Sequence, residues 1–235
     1  MKKSLISLMI ALMAIALFSA CDKENDSSGG NTPNPSEINA KNVMNSNSEI
    51  VSVKAVLYDE NTDEEVILAT SPYQNNGFKL TLKTPPASCL YSIGDDLEPE
   101  MVISDPKAKI GDVEVAAFNN NDEEIGGFYY WGANTRTYAE ANYVYADRNF
   151  TIKGKIMDED EYLGEYNCSF KKGWNIIYMI AHFDEETVLI TTRKPSGITM
   201  EWEFDIYLLW KSNQHQNLFK MHENVKARMQ KTFNR

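Results

Sequence analysis

The sequence predicts an all-β fold, an antiparallel β-sandwich with a short C-terminal amphipathic helix, and a closed β-barrel is the alternative. Three observations carry this. Apolar residues alternate with polar ones in short runs; the runs recur every 8–12 residues; and polar, Asn- and Gly-bearing turns separate them.

Residues 1–20 come first and read as a targeting segment. Lys2 and Lys3 precede an apolar core over residues 5–18, broken by Ser7, and small Ser19 and Ala20 stand before Cys21. That layout is a secretory signal, short for a bilayer-spanning helix. Ordinary cleavage needs small residues at the third and first positions before the cut, and bulky Phe18 opposes it. Ser19-Ala20-Cys21 instead resembles a bacterial lipobox, in which the cysteine becomes the lipid-bearing N-terminus, although Leu17 stands one place further back than in the strict pattern. A plain secreted protein and an uncleaved anchor are the alternatives. Several acyl chains on one residue give stable anchoring, since each buried methylene contributes about 0.8 kcal/mol.

Residues 21–48 are rich in Asn, Ser, Gly, Pro and acids, and are expected to be a flexible acidic tether. The β-domain is expected over residues 49–210. Its runs begin with EIVSVKAVLY (49–58), EVILATSPY (65–73) and GFKLTLK (77–83), with QNNG (74–77) as a hairpin-type turn. DVEVAAF (112–118), EIGGFYYW (124–131), NYVYADR (142–148) and FTIKGKIM (150–157) follow. The last are LGEYNCSF (163–170), WNIIYMIA (174–181), TVLITTR (187–193) and TMEWEFDIYL (199–208). WNIIYMIA is apolar on both faces and is the candidate central strand, whereas TMEWEFDIYL has one wet, acidic face.

Residues 211–235 form a basic tail in which Leu218, Met221 or His222, Val225, Met229 and Phe233 recur at helical spacing. Such a helix suits an anionic membrane, an acidic partner, or the acidic domain of its own chain. The whole chain has formal charge −11, and loss of Lys2 and Lys3 takes this to −13. Six basic residues against Glu223 make the tail +5 and leave −18 on residues 21–210. That acidity argues against nucleic acid as a partner.

Chemistry-bearing motifs are sparse. There are three histidines, His182, His215 and His222, with no HExxH and no GxSxG. NNNDEEIGG (119–127) and DEDEYLGE (158–165) lack the ligand spacing of a calcium loop and read as structural turns, so neither metal nor cofactor is implied. Cys89 and Cys168 remain as a possible disulfide worth about 4–5 kcal/mol in the chain-entropy model, or as two separately buried thiols. Tyr129, Tyr130 and Trp131 are candidate stacking residues for a sugar, set against a plain core role. No catalytic residue is singled out. A binding domain for a glycan or envelope protein partner leads, with a structural subunit of a surface complex, or a glycoside hydrolase using a spatially assembled carboxylate pair, as alternatives.

The segments SPYQNNGFKLTL, ISDPKAKIGDVEVAAF, ANYVYADRNFTIKG, FKKGWNIIY and RKPSGITMEW together resemble a group of lipoproteins from gut Bacteroidales bacteria whose function is not established. The resemblance spans roughly residues 49–204 and transfers no catalytic residues; the basic tail departs from it. It implies an outer-membrane lipoprotein. Acids soon after the lipidated cysteine accompany surface export in such proteins, and Asp22, Glu24 and Asp26 follow Cys21, so the cell surface is expected, with the periplasmic face as the alternative. Palmitate labelling of cells is expected to mark the chain and place it in the membrane fraction. Cys21→Ser is expected to lose the label and release the protein; a labelled Cys21→Ser chain would overturn the lipid assignment.

Overall fold

Side-chain alternation decides which faces of this fold are buried. A computed structural model of the chain describes residues 35–205 other than 60, 61, 63, 94–99, 159, 160 and 186. The first strands are β1 (Glu37–Ala40), β2 (Ser52–Tyr58), β3 (Glu65–Pro72) and β4 (Phe78–Thr81). A 3-10 turn (Ala87–Cys89) leads to β5 (Tyr91–Ser92), β6 (Met101–Ile103), β7 (Lys109–Asp112) and β8 (Glu114–Phe118). Long strands follow: β9 (Glu124–Ala133), β10 (Thr137–Ala146), β11 (Phe150–Asp158), β12 (Glu161–Phe170) and β13 (Gly173–His182). β14 (Thr187–Thr191) and β15 (Glu201–Asp205) are the last strands among the described residues.

The fold is all-β, as expected. One sheet runs in the order β3-β2-β8-β9-β10-β13-β14-β12-β11-β6, with β15 beside β9, β7 beside β10 and β5 beside β7. β1 and β4 form a separate two-stranded sheet. They pack over β2, β8, β9 and β15, enclosing Ile38, Leu80, Val53, Ala117 and Trp202 in a first core. Phe78 of the small sheet meets Phe128 and Trp202 of the large one, with ring centroids 4.7 and 5.5 Å apart. This is the sandwich.

The remainder of the large sheet curls around a second core of Ile110, Val144, Ile152, Ile177 and Ile190. Full burial of each such side chain contributes about 1.5–3 kcal/mol. Two glycines let neighbouring backbone approach closely here. At Gly164 (φ +154) a Cβ would lie 1.9 Å from the Val188 carbonyl oxygen on β14, and at Gly154 (φ +147) one would lie 2.3 Å from that of Glu100. Among the described residues the ends of the strand path, β3 and β6, do not pair with each other, so the sheet stays open there and the barrel alternative falls.

β13 is central, as its apolar run predicts. It pairs with β10 along all ten residues, from Thr137↔His182 to Ala146↔Gly173. Ile177, Met179 and Ala181 face the second core, while Tyr178 and Ile180 join Ala139 and Ala141 on the opposite face, under Ile198 and Met200.

Three features differ from expectation. β1 lies inside the expected tether: Ile38 and Ala40 are buried against β4, so the fold starts well before residue 49. QNNG makes its tight turn, with Asn75 and Asn76 at positive φ and both Gln74–Gly77 backbone bonds 3.0 Å long. Its arms nevertheless part, β3 joining β2 and β4 joining β1 in the other layer. The antiparallel plan also has an exception, because β12 and β14 pair in parallel from Gly164↔Val188 to Asn167↔Thr191.

The two ends of the described chain are fastened together. The Met44 N–H donates to the Trp202 carbonyl at 2.8 Å and the Phe204 N–H donates to the Met44 carbonyl at 3.0 Å. The expected C-terminal helix lies outside the described residues. Gly164→Ala is expected to cost about 2–3 kcal/mol, by steric conflict and backbone strain. A urea midpoint that falls with an unchanged slope checks this.

Candidate functional site

The candidate site lies on the face of β8, β9 and β15 opposite the first core. Along β9 alternation sends Phe128 and Tyr130 inward, where the Tyr130 ring stacks on Trp202 with centroids 5.1 Å apart. Tyr129 and Trp131 project to the other side. The three expected stacking residues therefore do not share one platform: Tyr130 is half-buried against the core, and burial pushes its hydroxyl pKa up.

On the outer side, cross-strand register places Glu203 opposite Tyr129, and both Glu201 and Glu140 opposite Trp131. Half-buried Trp131 stacks on Tyr138, with centroids 5.7 Å apart and planes at 23°. The Trp131 indole N–H donates to Glu203, whose second carboxylate oxygen accepts from the Asn45 amide. The Tyr138 hydroxyl donates to Glu140 at 2.8 Å. Asn45, Glu203, Trp131, Tyr138 and Glu140 thus form one connected network from three strands and the segment after β1. It holds an aromatic ring between carboxylates, which offers a stacking face for CH groups and acceptors for hydroxyl donors.

A second feature lies where the sheet forks. The strand of residues 109–118 pairs with β10 at Ile110–Asp112 and with β9 from Ala116 onward. Glu114 sits between those pairings, and Val113 bridges the gap by donating to the Tyr143 carbonyl at 3.0 Å. Burial first, then Asp112, Glu124 and Glu65, raise the Glu114 carboxyl from its ordinary 4.5 to about 7, against a hydrogen bond with Tyr58. Nearby Lys54 does not neutralise it. Its ammonium lies 3.9 Å above the Phe118 ring centroid and pairs with Asp122 in the 119–123 turn.

The remaining sequence candidates resolve simply. Cys89 belongs to the first core and Cys168 to the second, and no disulfide joins them. Burial pushes the Cys168 thiol up to about 12, which leaves it inert. Of the 119–127 acidic run, residues 119–123 are a turn closed on itself and the rest opens β9: Asn119 accepts from the Asn121 and Glu123 N–H groups and donates to the Glu123 carboxylate at 2.8 Å. Among the described residues no cluster has the make-up of a metal site. His182 ends β13 opposite Thr187. Cys21, His215, His222 and the basic tail lie outside the described residues.

Sequence reasoning missed Glu203, Glu140, Asn45 and Glu114. Glu203 was within reach, as the polar phase of an alternating strand; its pairing with Trp131 depends on register, which no local pattern encodes. No family model matches the chain, and no curated protein or solved structure matches it at a significant level.

Glu114 carries a signed pH dependence. Below pH 4.5 both folded and unfolded chains hold its proton; above about pH 7 folding must keep its charge at the crowded fork. Its contribution to stability therefore falls as pH rises from 4.5 to 7. Glu114→Gln is expected to raise the melting temperature relative to wild type at pH 8 and to match it at pH 4, as differential scanning calorimetry would measure.

Proposed function

We propose that this chain is a lipid-anchored cell-envelope protein whose all-β domain is a non-catalytic binding module for a glycan. One observation carries the ligand class: the Trp131 ring, backed by Tyr138 and tied to Glu203, lies among the carboxylates of Glu140, Glu201 and Glu203. Stacking on the indole supplies affinity, and the carboxylates select for hydroxyl donors. The lipid anchor rests on Ser19-Ala20-Cys21 and on the resemblance to Bacteroidales lipoproteins, and both favour the outer membrane with the domain at the cell surface.

A second reading, glycoside hydrolysis, is favoured by Glu114 alone. A carboxyl raised to about 7 beside the second carboxyl of Asp112 has the character of a general acid. The two readings part in one experiment. Glycan-array screening of the unlipidated full chain (Cys21→Ser) is expected to find a bound glycan without turnover. Trp131→Ala is then expected to weaken it about ten- to hundredfold by calorimetry, and Glu114→Gln to leave it unchanged. Released reducing ends that vanish with Glu114→Gln would favour the hydrolase; binding unchanged in Trp131→Ala would remove this face from the site.

A further inference from the structure

The face that carries Trp131 is one-signed in charge. By register, Glu114, Glu140, Glu201 and Glu203 project from β8, β10 and β15 to the same side. Asp112, Glu124 and Glu65 lie close enough to Glu114 to raise its pKa. Among the described residues Lys54 is the one cation that register places on this face, and it is committed to Asp122.

The complementary charge is on the same chain. Residues 211–235 hold Lys211, Lys220, Lys226, Arg228, Lys231 and Arg235 against Glu223, with Leu218, Val225, Met229 and Phe233 spaced for one apolar helical stripe. This segment begins six residues after β15, the strand that contributes Glu201 and Glu203. Five residues span about 17 Å when extended. β15, β9 and β10 are adjacent strands, so the distance from β15 to the carboxylate on β10 is about 10 Å. Reach is ample. At physiological salt the Debye length is about 8 Å, so the attraction acts once the segment lies within about that distance of the face, which the short connection allows.

We propose that residues 211–235 dock in cis on the face of β15, β9 and β10 that carries Glu201, Glu203 and Glu140 and act as a built-in occupant of this face. The docking stands without the glycan reading. That it also regulates ligand access, by competing for Glu203 and Glu140 and covering Trp131, rests on that reading. The attraction is electrostatic, so rising salt weakens it, and a ligand that uses the same carboxylates has to displace the segment.

Zero-length carbodiimide cross-linking of the unlipidated full chain, mapped by mass spectrometry on the monomer band, tests the docking. Expected are links from Lys220, Lys226 or Lys231 to Glu201, Glu203 or Glu140, lost in 0.5 M NaCl and lost in the combined variant Lys220→Glu, Lys226→Glu, Lys231→Glu. Links confined to dimers, links to other faces such as Glu37 or Glu185, or no links would overturn it. So would transfer of the chain to phosphatidylglycerol vesicles with loss of the links, which would assign the segment to a membrane. Regulation is read separately: the same variant is expected to bind glycan at least about threefold more tightly in low salt. Unchanged affinity alongside intact wild-type links would leave the docking in place and remove the regulation, and a failure of any glycan to bind wild type or variant would fall on the glycan reading alone.

Discussion

The pairing of β10 with β13 is the constraint on which the rest of this structure depends. Ten residues of each strand are in register, and apolar side chains cover both faces. A strand pair buried on both sides has no solvent face to register against, so a slip exchanges one core lining for another. Here the two linings differ in how residues are matched. Ile177 and Met179 meet Tyr138 and Val144 in the curl, whereas Tyr178 and Ile180 meet Ala139 and Ala141 beneath Ile198 and Met200 on the opposite side. One alignment satisfies both. β9 and β7 then share the remaining edge of β10, at Tyr138–Ala141 and Val144–Ala146 respectively, and the sheet forks because two strands occupy one edge.

The fork explains the electrostatics. Strand alternation obliges Glu114 and Asp112 to project from the same face as Ala116 and Phe118, and the split brings them into a crowded corner. A carboxylate there loses hydration and gains like-charged neighbours, both of which cost stability. The same face carries the Trp131 network, in which acids are instead satisfied by an indole, an amide and a phenol. One surface thus holds well-partnered carboxylates next to a destabilised one. Natural folds tolerate such local conflict mainly where binding or chemistry takes place.

Alternation makes most of the fold legible in the sequence itself. TMEWEFDIYL announces Trp202 and Phe204 as buried and Glu201 and Glu203 as wet, and WNIIYMIA announces a strand covered on both sides. β1 escaped because EINA is four residues long within a polar stretch and becomes a strand only by pairing with β4. β5 and β6 are shorter still, and KIGD of β7 has no repeat from which to read a period. The QNNG turn was legible and its outcome was not, since turn chemistry fixes local φ but not which layer each arm joins. For the site, the residue types on each strand were readable. The meeting of Asn45, Glu203, Trp131 and Glu140 was not, because three long-range registers bring it about.

The seam between Met44 and β15 governs how this chain can acquire its fold. Met44 is hydrogen-bonded on both its N–H and its carbonyl to residues of the last described strand. β15 also lines the first core through Trp202 and Phe204, so β1, β4 and β9 lack a wall until it arrives. Contacts of such sequence separation form late, because loop closure precedes any reward from burial. A polypeptide threaded through a membrane channel with its N-terminus leading would therefore be able to assemble the second core, which takes no residue from β15, while the first still lacked a wall. The first core would lock only once the residues around Trp202 had cleared the pore.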